Sequence, residues 1–130
     1  MLVRLIEDNS LRATQDGYQM EIRLEWYRSL PLSCIEQVQL TLDGQPVPPD
    51  AIRFGVNGHE YRLEELPELA DEDWFVLDPA VLRVHDPGRV VAGERHTVEV
   101  EVAFRVPYIP IGPGKFLVNS DRYTTTQIAV

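Results

Sequence analysis

Apolar and polar residues alternate one by one over several stretches of the chain, and this pattern predicts β-strands. From Tyr18 to Trp26 every second residue is apolar, and Gln, Glu and Arg fill the positions between. The same period of two recurs from Val38 to Leu42 and, most clearly, from Val98 to Val106. Such a period places one face of a strand in a core and the other in water.

Pairs of turn-forming residues separate these stretches. Asp16-Gly17, Asp43-Gly44 and Asn57-Gly58 are typical of tight hairpins, because glycine accepts the positive φ that these turns need. Further strands are predicted at 51–56, 59–63 and 81–84, and the tail at 123–130 has the β-branched composition of a last strand. A brief helical turn is predicted within 63–69.

Turn signals at these intervals predict an antiparallel β-sandwich, immunoglobulin-like or jelly-roll-like, as a single domain over residues 1–130. The length of 130 residues is enough for one core. A formal net charge of −9 argues against nucleic acid or an anionic membrane as a partner. The early charges at the N-terminus do not fit a secretory signal, and Cys34 is the only cysteine, so a cytoplasmic location is expected.

Two stretches combine proline with bulky apolar residues, near 27–34 and near 105–118. Surface loops are usually polar, so apolar loops on a small protein indicate contact with a partner. The sequence therefore predicts two interface loops. Their expected partner-contacting residues are Tyr27, Arg28, Leu30, Pro31, Tyr108, Ile109, Pro110 and Phe116.

No residue pattern in the chain matches a familiar catalytic or metal site. The acidic stretch 64–73 lacks the ligand spacing and glycine of a calcium loop, which favours a solvated loop. His59, His85 and His96 lack zinc-binding spacing and are predicted to be surface or turn residues. Cys34 has an apolar context and is predicted to be buried and inert. Residues 112–115 lack P-loop spacing and predict a turn. No catalytic, cofactor-binding or metal-binding residue is therefore assigned to this chain.

Several longer motifs occur together along the chain. They are R-L-E-W-Y-R-S-L-P-L-S at 23–33, L-D-G at 42–44, I-R-F-G-V-N-G at 52–58, Trp74, A-G-E-R-H-T-V-E-V at 92–100 and R-V-P-Y-I-P at 105–110. With these motifs the chain resembles the small (β) subunit of bacterial C-glycoside deglycosidases. They are packing and loop patterns rather than a catalytic signature, and the segment 112–130 carries none of them.

The resemblance implies a heteromeric enzyme with a larger α subunit similar to a sugar-phosphate isomerase barrel. That subunit would bind a divalent metal, Mn or Mg, and carry the acid–base residues. The substrate would be a C-glucoside already oxidised at its 3-position, with an aromatic aglycone such as a flavonoid. Its keto group acidifies the C2 proton, so the complex, a lyase, would break the carbon–carbon bond by metal-assisted elimination. The present chain would then be a non-catalytic subunit whose partners are the α subunit and the substrate at or near a shared site.

Two alternatives remain open from the residues alone. One is a free-standing carbohydrate- or ligand-binding module that uses Tyr27, Tyr108 and Phe116. The other is a small independent enzyme that uses His59 or His85 with an acidic residue. The first would bind sugar without a partner, and the second would be active alone and inactive after a histidine is replaced.

Overall fold

The computed structural model describes residues 4–24, 26 and 28–130, which form mainly antiparallel β-strands. In chain order the described strands are β1 (Arg12–Ala13), β2 (Gly17–Ile22), β3 (Leu30–Pro31), β4 (Ile35–Leu42), β5 (Gln45–Pro46), β6 (Ile52–Val56), β7 (His59–Arg62), β8 (Asp73–Trp74), β9 (Ala80–His85), β10 (Arg95–Gly112) and β11 (Lys115–Ile128). Short 3₁₀ helices lie at Leu32–Cys34, Pro49–Ala51 and Leu63–Glu68. The predicted all-β class is confirmed, and the predicted helical turn is the last of these helices.

Two sheets contribute to one hydrophobic core. The first has the strand order β1-β2-β9-β6-β7 and the second has the order β11-β10-β4-β5, while β3 pairs with β8 apart from both. The apolar sides of the alternating strands face inward, and Tyr18, Phe54, Trp74 and Phe104 are its largest buried side chains. Each fully buried large apolar side chain contributes about 1.5–3 kcal/mol relative to exposure, so this alternation carries most of the stabilisation.

Strand β2 ends at Ile22 rather than at Trp26, where the alternation predicts its end. Its partner β9 begins at Ala80, opposite Ile22, so the ladder between these two strands stops there, although the amide of Arg23 still donates to the carbonyl oxygen of Leu5 at 2.7 Å. Leu24 is still buried, and Trp26 lies half-buried with its ring centroid 5.4 Å from that of Phe104. The periodic pattern therefore correctly marks core-facing residues beyond the point where the strand itself ends.

The predicted loop near 105–118 is not a loop, because β10 and β11 form one long hairpin through it. The two strands pair from Arg95 opposite Ile128 to Gly112 opposite Lys115, with shifts of register between Val106 and Pro110 and between Pro110 and Gly112. Strand β10 pairs with β4 only as far as Phe104, opposite Ile35. Beyond that point β11 is the one strand that pairs with β10 in the part of the chain that the structure describes, so Pro107 and Pro110 remove no bond to a third described strand. We call residues 105–118, the part beyond the last pairing with β4, the arm.

The hairpin turn lies at residues 113–114, where Gly114 has a φ of 68°. This confirms the turn that the sequence predicts at 112–115, and glycine suits it because other residues rarely adopt that φ. The predicted last strand is also present, but it begins at Lys115 rather than at Tyr123. The stretch near 27–34, expected to be a loop, contains the short strand β3 and a 3₁₀ helix.

Candidate functional site

The two apolar stretches that the sequence singles out meet at Tyr108, on the arm. The indole Nε1 of Trp26 donates a hydrogen bond to the hydroxyl oxygen of Tyr108 at 2.5 Å. The guanidinium carbon of Arg28 lies 4.6 Å from the centroid of the Tyr108 ring. A cation over a ring at an exposed site contributes about 0.5–1 kcal/mol. Tyr108 is thus held in one orientation although 38% of its surface is exposed.

The other predicted interface residues divide between surface and core. On the arm, Pro110 is exposed, while Ile109 and Phe116 are half-buried. Arg28 is exposed and Pro31 is half-buried. Tyr27 lies outside the described residues. Whether the exposed members contact a partner stays a prediction.

Leu30 requires a correction, because it lies in the core rather than at a partner surface. Only 3% of its surface is exposed, and it pairs with Trp74 across β3 and β8. The proline that follows it favours a turn but says nothing about where the preceding side chain points. Cys34, by contrast, is buried as predicted.

Four exposed apolar side chains near Tyr108 were missed by the sequence reasoning. Ile111 and Val118 lie on the arm, with 63% and 52% of their surfaces exposed. Phe75 and Leu77 lie between β8 and β9, with exposed fractions of 48% and 81%. The signal that could have found the second pair is their spacing of two residues directly after the acidic stretch 64–73.

We call residues 75–78 the knob. Its backbone is fixed at several points, because the amide of Val76 donates to Ser29 Oγ at 2.9 Å and Arg23 Nη1 donates to the carbonyl oxygen of Leu77 at 2.8 Å. Trp74 Nε1 donates to the carbonyl oxygen of Asp78 at 2.9 Å. Arg23 and Ser29 thus bind the knob, while Trp26 and Arg28, close to them in sequence, contact Tyr108.

The histidines occupy three different environments. The exposed His59 has its Nδ1 3.5 Å from Glu72 Oε1, and His85 is exposed at the end of β9. His96 corrects the prediction of a surface or turn residue, because only 7% of its surface is exposed. It lies in phase with Val98 and Val100 on β10, and that phase was the available signal.

Glu72 is the centre of a small polar cluster beside β7. It accepts a hydrogen bond from the Tyr61 hydroxyl and one from Asn57 Nδ2 at 3.4 Å. The bond from Tyr61 is the main reason that the pKa of Glu72 is lowered, and the same bond raises the pKa of Tyr61 to about 12. Glu72 is therefore occupied in tying the acidic stretch to the hairpin at Asn57.

His96 and its neighbours form a second polar cluster, at the opposite end of β10 from the arm. Its Nδ1 lies 2.7 Å from Asp43 Oδ2, and its Nε2 lies 3.3 Å from Glu94 Oε1. Asp43 Oδ1 also accepts a hydrogen bond from the amide of Thr97 at 2.9 Å, and Oδ2 accepts one from Arg89. These bonds, that of His96 first, lower the pKa of Asp43.

Metal sites and membrane-spanning helices are two further features to consider in the described residues 4–24, 26 and 28–130. Within them, no group of three or more His, Cys, Asp or Glu side chains is placed to hold a metal ion. Nor does any helix of those ranges combine the length and apolar character needed to cross a membrane.

The fold and its exposed end define an all-β protein that presents a fixed aromatic and apolar surface. A family profile described as C-glycoside deglycosidase beta subunit matches residues 3–108. The 3'-dehydrocarminate deglycosidase beta subunit of a Microbacterium species is 42% identical over 108 residues, which are 83% of this chain and 80% of the relative. The C-glycoside deglycosidase beta subunit of Microbacterium trichothecenolyticum is 38% identical over 127 residues, 98% of this chain and 95% of the relative.

A third relative supports the same assignment. A C-glycoside deglycosidase beta subunit of Arthrobacter globiformis is 36% identical over 120 residues, 88% of this chain and 87% of the relative. The chain therefore belongs to the C-glycoside deglycosidase beta subunit family, and the resemblance of its motifs is confirmed.

Proposed function

We propose that this chain is the small subunit of a heteromeric C-glycoside deglycosidase and that its arm docks on the larger subunit. The observation that carries the proposal is Tyr108, which is exposed on the arm yet held by Trp26 and Arg28. An exposed aromatic side chain that is already ordered loses little entropy on binding, and Tyr and Arg are enriched among residues that dominate interfaces. Family membership supplies the expectation of a larger subunit.

The shape of the arm supports the same role. It is a two-stranded ribbon beyond the last pairing with β4, and Ile111 and Val118 on it are exposed. A two-stranded hairpin without further packing is only marginally stable in water. Ile109 and Leu117 pack part of the arm against the core, and docking on a partner would remove its exposed apolar side chains from water as well.

The chemistry is proposed to reside on the larger subunit, of sugar-phosphate isomerase barrel type. A divalent metal there, Mn or Mg, would stabilise negative charge as a 3-oxo C-glucoside loses its C2 proton and its aglycone departs. In the small subunit, Glu72 is bound by Tyr61, Glu101 by Arg122, and Glu65 by the amide of Arg62. These carboxylates have structural partners, which supports a role in stabilising the complex rather than in proton transfer, and the cytoplasm is the proposed location.

The test of docking is the dissociation constant between the two purified subunits for the wild type and for Tyr108→Ala. Truncating an interface anchor is expected to weaken association by about 1–4 kcal/mol, the range of important interface residues. Tyr108→Phe should keep most of the affinity because it retains the ring. Ile128→Ala, at the other end of β11, is the matched control and should bind like the wild type.

Two outcomes would contradict the proposal. Equal affinity of the wild type and Tyr108→Ala would show that the arm is not the docking surface. Full turnover by the larger subunit alone would show that the small subunit is not needed for activity. Saturable quenching of Trp26 by a free sugar, with no partner present, would favour the alternative of a carbohydrate- or ligand-binding module.

A further inference from the structure

The knob presents apolar side chains on a backbone that cannot easily move. Leu77 has 81% of its surface in solvent, and its neighbour Phe75 has 48%. The amide of Asp78 donates to the carbonyl oxygen of Phe75 at 2.9 Å, which closes a turn. With the bonds from Ser29, Arg23 and Trp74, this turn is fixed before any partner arrives.

Exposed apolar side chains on a fixed backbone favour binding to a partner. Ordering a mobile loop opposes association, and a preorganised segment avoids that cost. An apolar side chain that remains mostly in water gains nothing from the fold of its own chain. The exposure of Leu77 is therefore best explained by burial against another molecule.

The charges around the knob differ from those on the arm. Residues 68–78 contain Glu68, Asp71, Glu72, Asp73 and Asp78 and no Lys or Arg. Residues 102–120 contain Arg105 and Lys115 and no Asp or Glu. The segment of the knob is thus acidic and that of the arm basic, and the one cation described against the knob, Arg23 at the Leu77 carbonyl, is already paired with Glu7.

We propose that the knob is a second contact with the larger subunit, which offers Phe75 and Leu77 an apolar pocket edged by Lys or Arg. This inference rests on the proposed function, and it names a surface and a partner chemistry that the arm alone does not. Arg23 and Ser29 bind the knob and Trp26 and Arg28 contact Tyr108, so one partner can contact both surfaces. A second copy of this chain is disfavoured as the occupant, because two copies that each carry a net charge of −9 repel each other, and the arm offers only Arg105 and Lys115 against the acidic knob.

The opposite charges also fix how the partner approaches. A basic edge opposite Asp71 and Asp78 and a neutral or acidic edge opposite Lys115 permit one orientation of docking. Complementary charge at the edge of an interface mainly raises the association rate and makes that rate depend on salt. Apolar anchors mainly set the dissociation rate.

The test measures association and dissociation rates between the larger subunit and variants of this chain. Leu77→Ala is expected to raise the dissociation constant about tenfold or more, mostly through faster dissociation. Asp71→Asn combined with Asp78→Asn should slow association at low salt and reduce its dependence on salt. The matched controls are Ile128→Ala and Asp16→Asn, which should behave like the wild type.

The outcomes distinguish failure of the knob inference from failure of the proposed function. If the wild type binds the larger subunit and Leu77→Ala binds equally well, the knob inference is wrong and the proposed function stands. If the wild type does not bind the larger subunit, both are overturned. If sedimentation shows a dimer of this chain alone that Leu77→Asp converts to a monomer, the occupant is a second copy and the inference is wrong. Because Leu77 is mostly exposed, neither variant should unfold the chain.

Discussion

The two ends of the β10–β11 hairpin differ in which side chains they bury and which they expose. At the end where β10 begins, called here the base, polar side chains are buried and each finds a partner inside the chain, as His96 does with Asp43 and Glu94. At the arm, Ile109 and Leu117 pack against the core, but Ile111 and Val118 are exposed. The buried polar side chains of the base make their hydrogen bonds within this chain, whereas the arm leaves apolar side chains in water that a partner would cover.

Gln127 on β11 is a further buried polar side chain of the base whose hydrogen bonds are made within the chain. Only 6% of its surface is exposed, and its Oε1 accepts hydrogen bonds from the amides of Ser10 at 3.1 Å and Leu11 at 3.0 Å. Its Nε2 donates to the carbonyl oxygen of Glu7 at 2.9 Å. A buried amide with its hydrogen bonds made stabilises one arrangement of the chain, because any shift would leave polar atoms without partners.

The largest expected effect lies where the hairpin crosses the core, between the two ends. Phe104→Ala should lower the free energy of unfolding by about 3–5 kcal/mol, the usual cost of removing a buried aromatic ring. The ring also packs edge-on against Trp26 at 5.4 Å, so fluorescence should report the change. Urea unfolding followed by tryptophan emission measures it, and a loss comparable with that of a surface variant would contradict the assigned burial.

At the base, Asp43→Ala should cost about 2 kcal/mol, because it removes hydrogen bonds to a charged group and leaves the buried His96 without one partner. Asp43 also has a φ of 50°, which Asn tolerates better than Ala. Asp43→Asn is therefore the control and should lose less. Thermal unfolding of both variants tests the order, and equal losses would show that the side-chain bonds are unimportant.

Lowering the pH should reduce the free energy of unfolding through Asp43, by less than the substitution Asp43→Ala does. The folded chain holds the pKa of Asp43 below its ordinary value of 3.8, so the stabilisation is present above about pH 4 and is lost as pH falls through the folded pKa. The unfolding free energy of Asp43→Asn should consequently vary less than that of the wild type below pH 4. Glu101→Gln, in the middle of the hairpin, should reduce the dependence in the same direction, because the pKa of Glu101 is also lowered, chiefly by Arg122.

The smallest effect is expected on the arm. Ile111→Ser should change the free energy of unfolding of the isolated chain by no more than about 0.5 kcal/mol, since surface substitutions away from special features are nearly neutral. The comparison between the two ends would fail if this variant destabilised the isolated chain as much as Asp43→Ala. In the complex with the larger subunit, the same variant should weaken binding.

Much of the fold could be predicted because alternation reports burial directly. The strands around Met20, Leu40, Phe54 and Val100 face the core with the side that the sequence indicates. The hairpin at Asn57-Gly58 is also present, with both residues at positive φ. These features depend on local chemistry, which a single sequence shows.

The remaining features depend on distant parts of the chain. The end of β2 is set by where β9 begins, and the continuation of β10 through Pro107 is set by where β4 stops. The burial of His96 depends on Asp43, which is far from it in sequence. For the candidate site, Tyr108 and Arg28 are exposed, and their contact with a partner stays a prediction, whereas the sequence placed Leu30 at the surface and missed Leu77, because exposure follows from what packs nearby.

The long hairpin also bears on how the chain folds. Residues of β10 and β11 meet across the turn at Gly114, so this ribbon can close progressively from its own turn before distant strands arrive. The pairing of β10 with β4 joins segments much further apart in sequence and should come later. In the free subunit, protection of amide hydrogens from exchange should therefore rise along the ribbon from the turn toward His96, because opening begins where packing is thinnest.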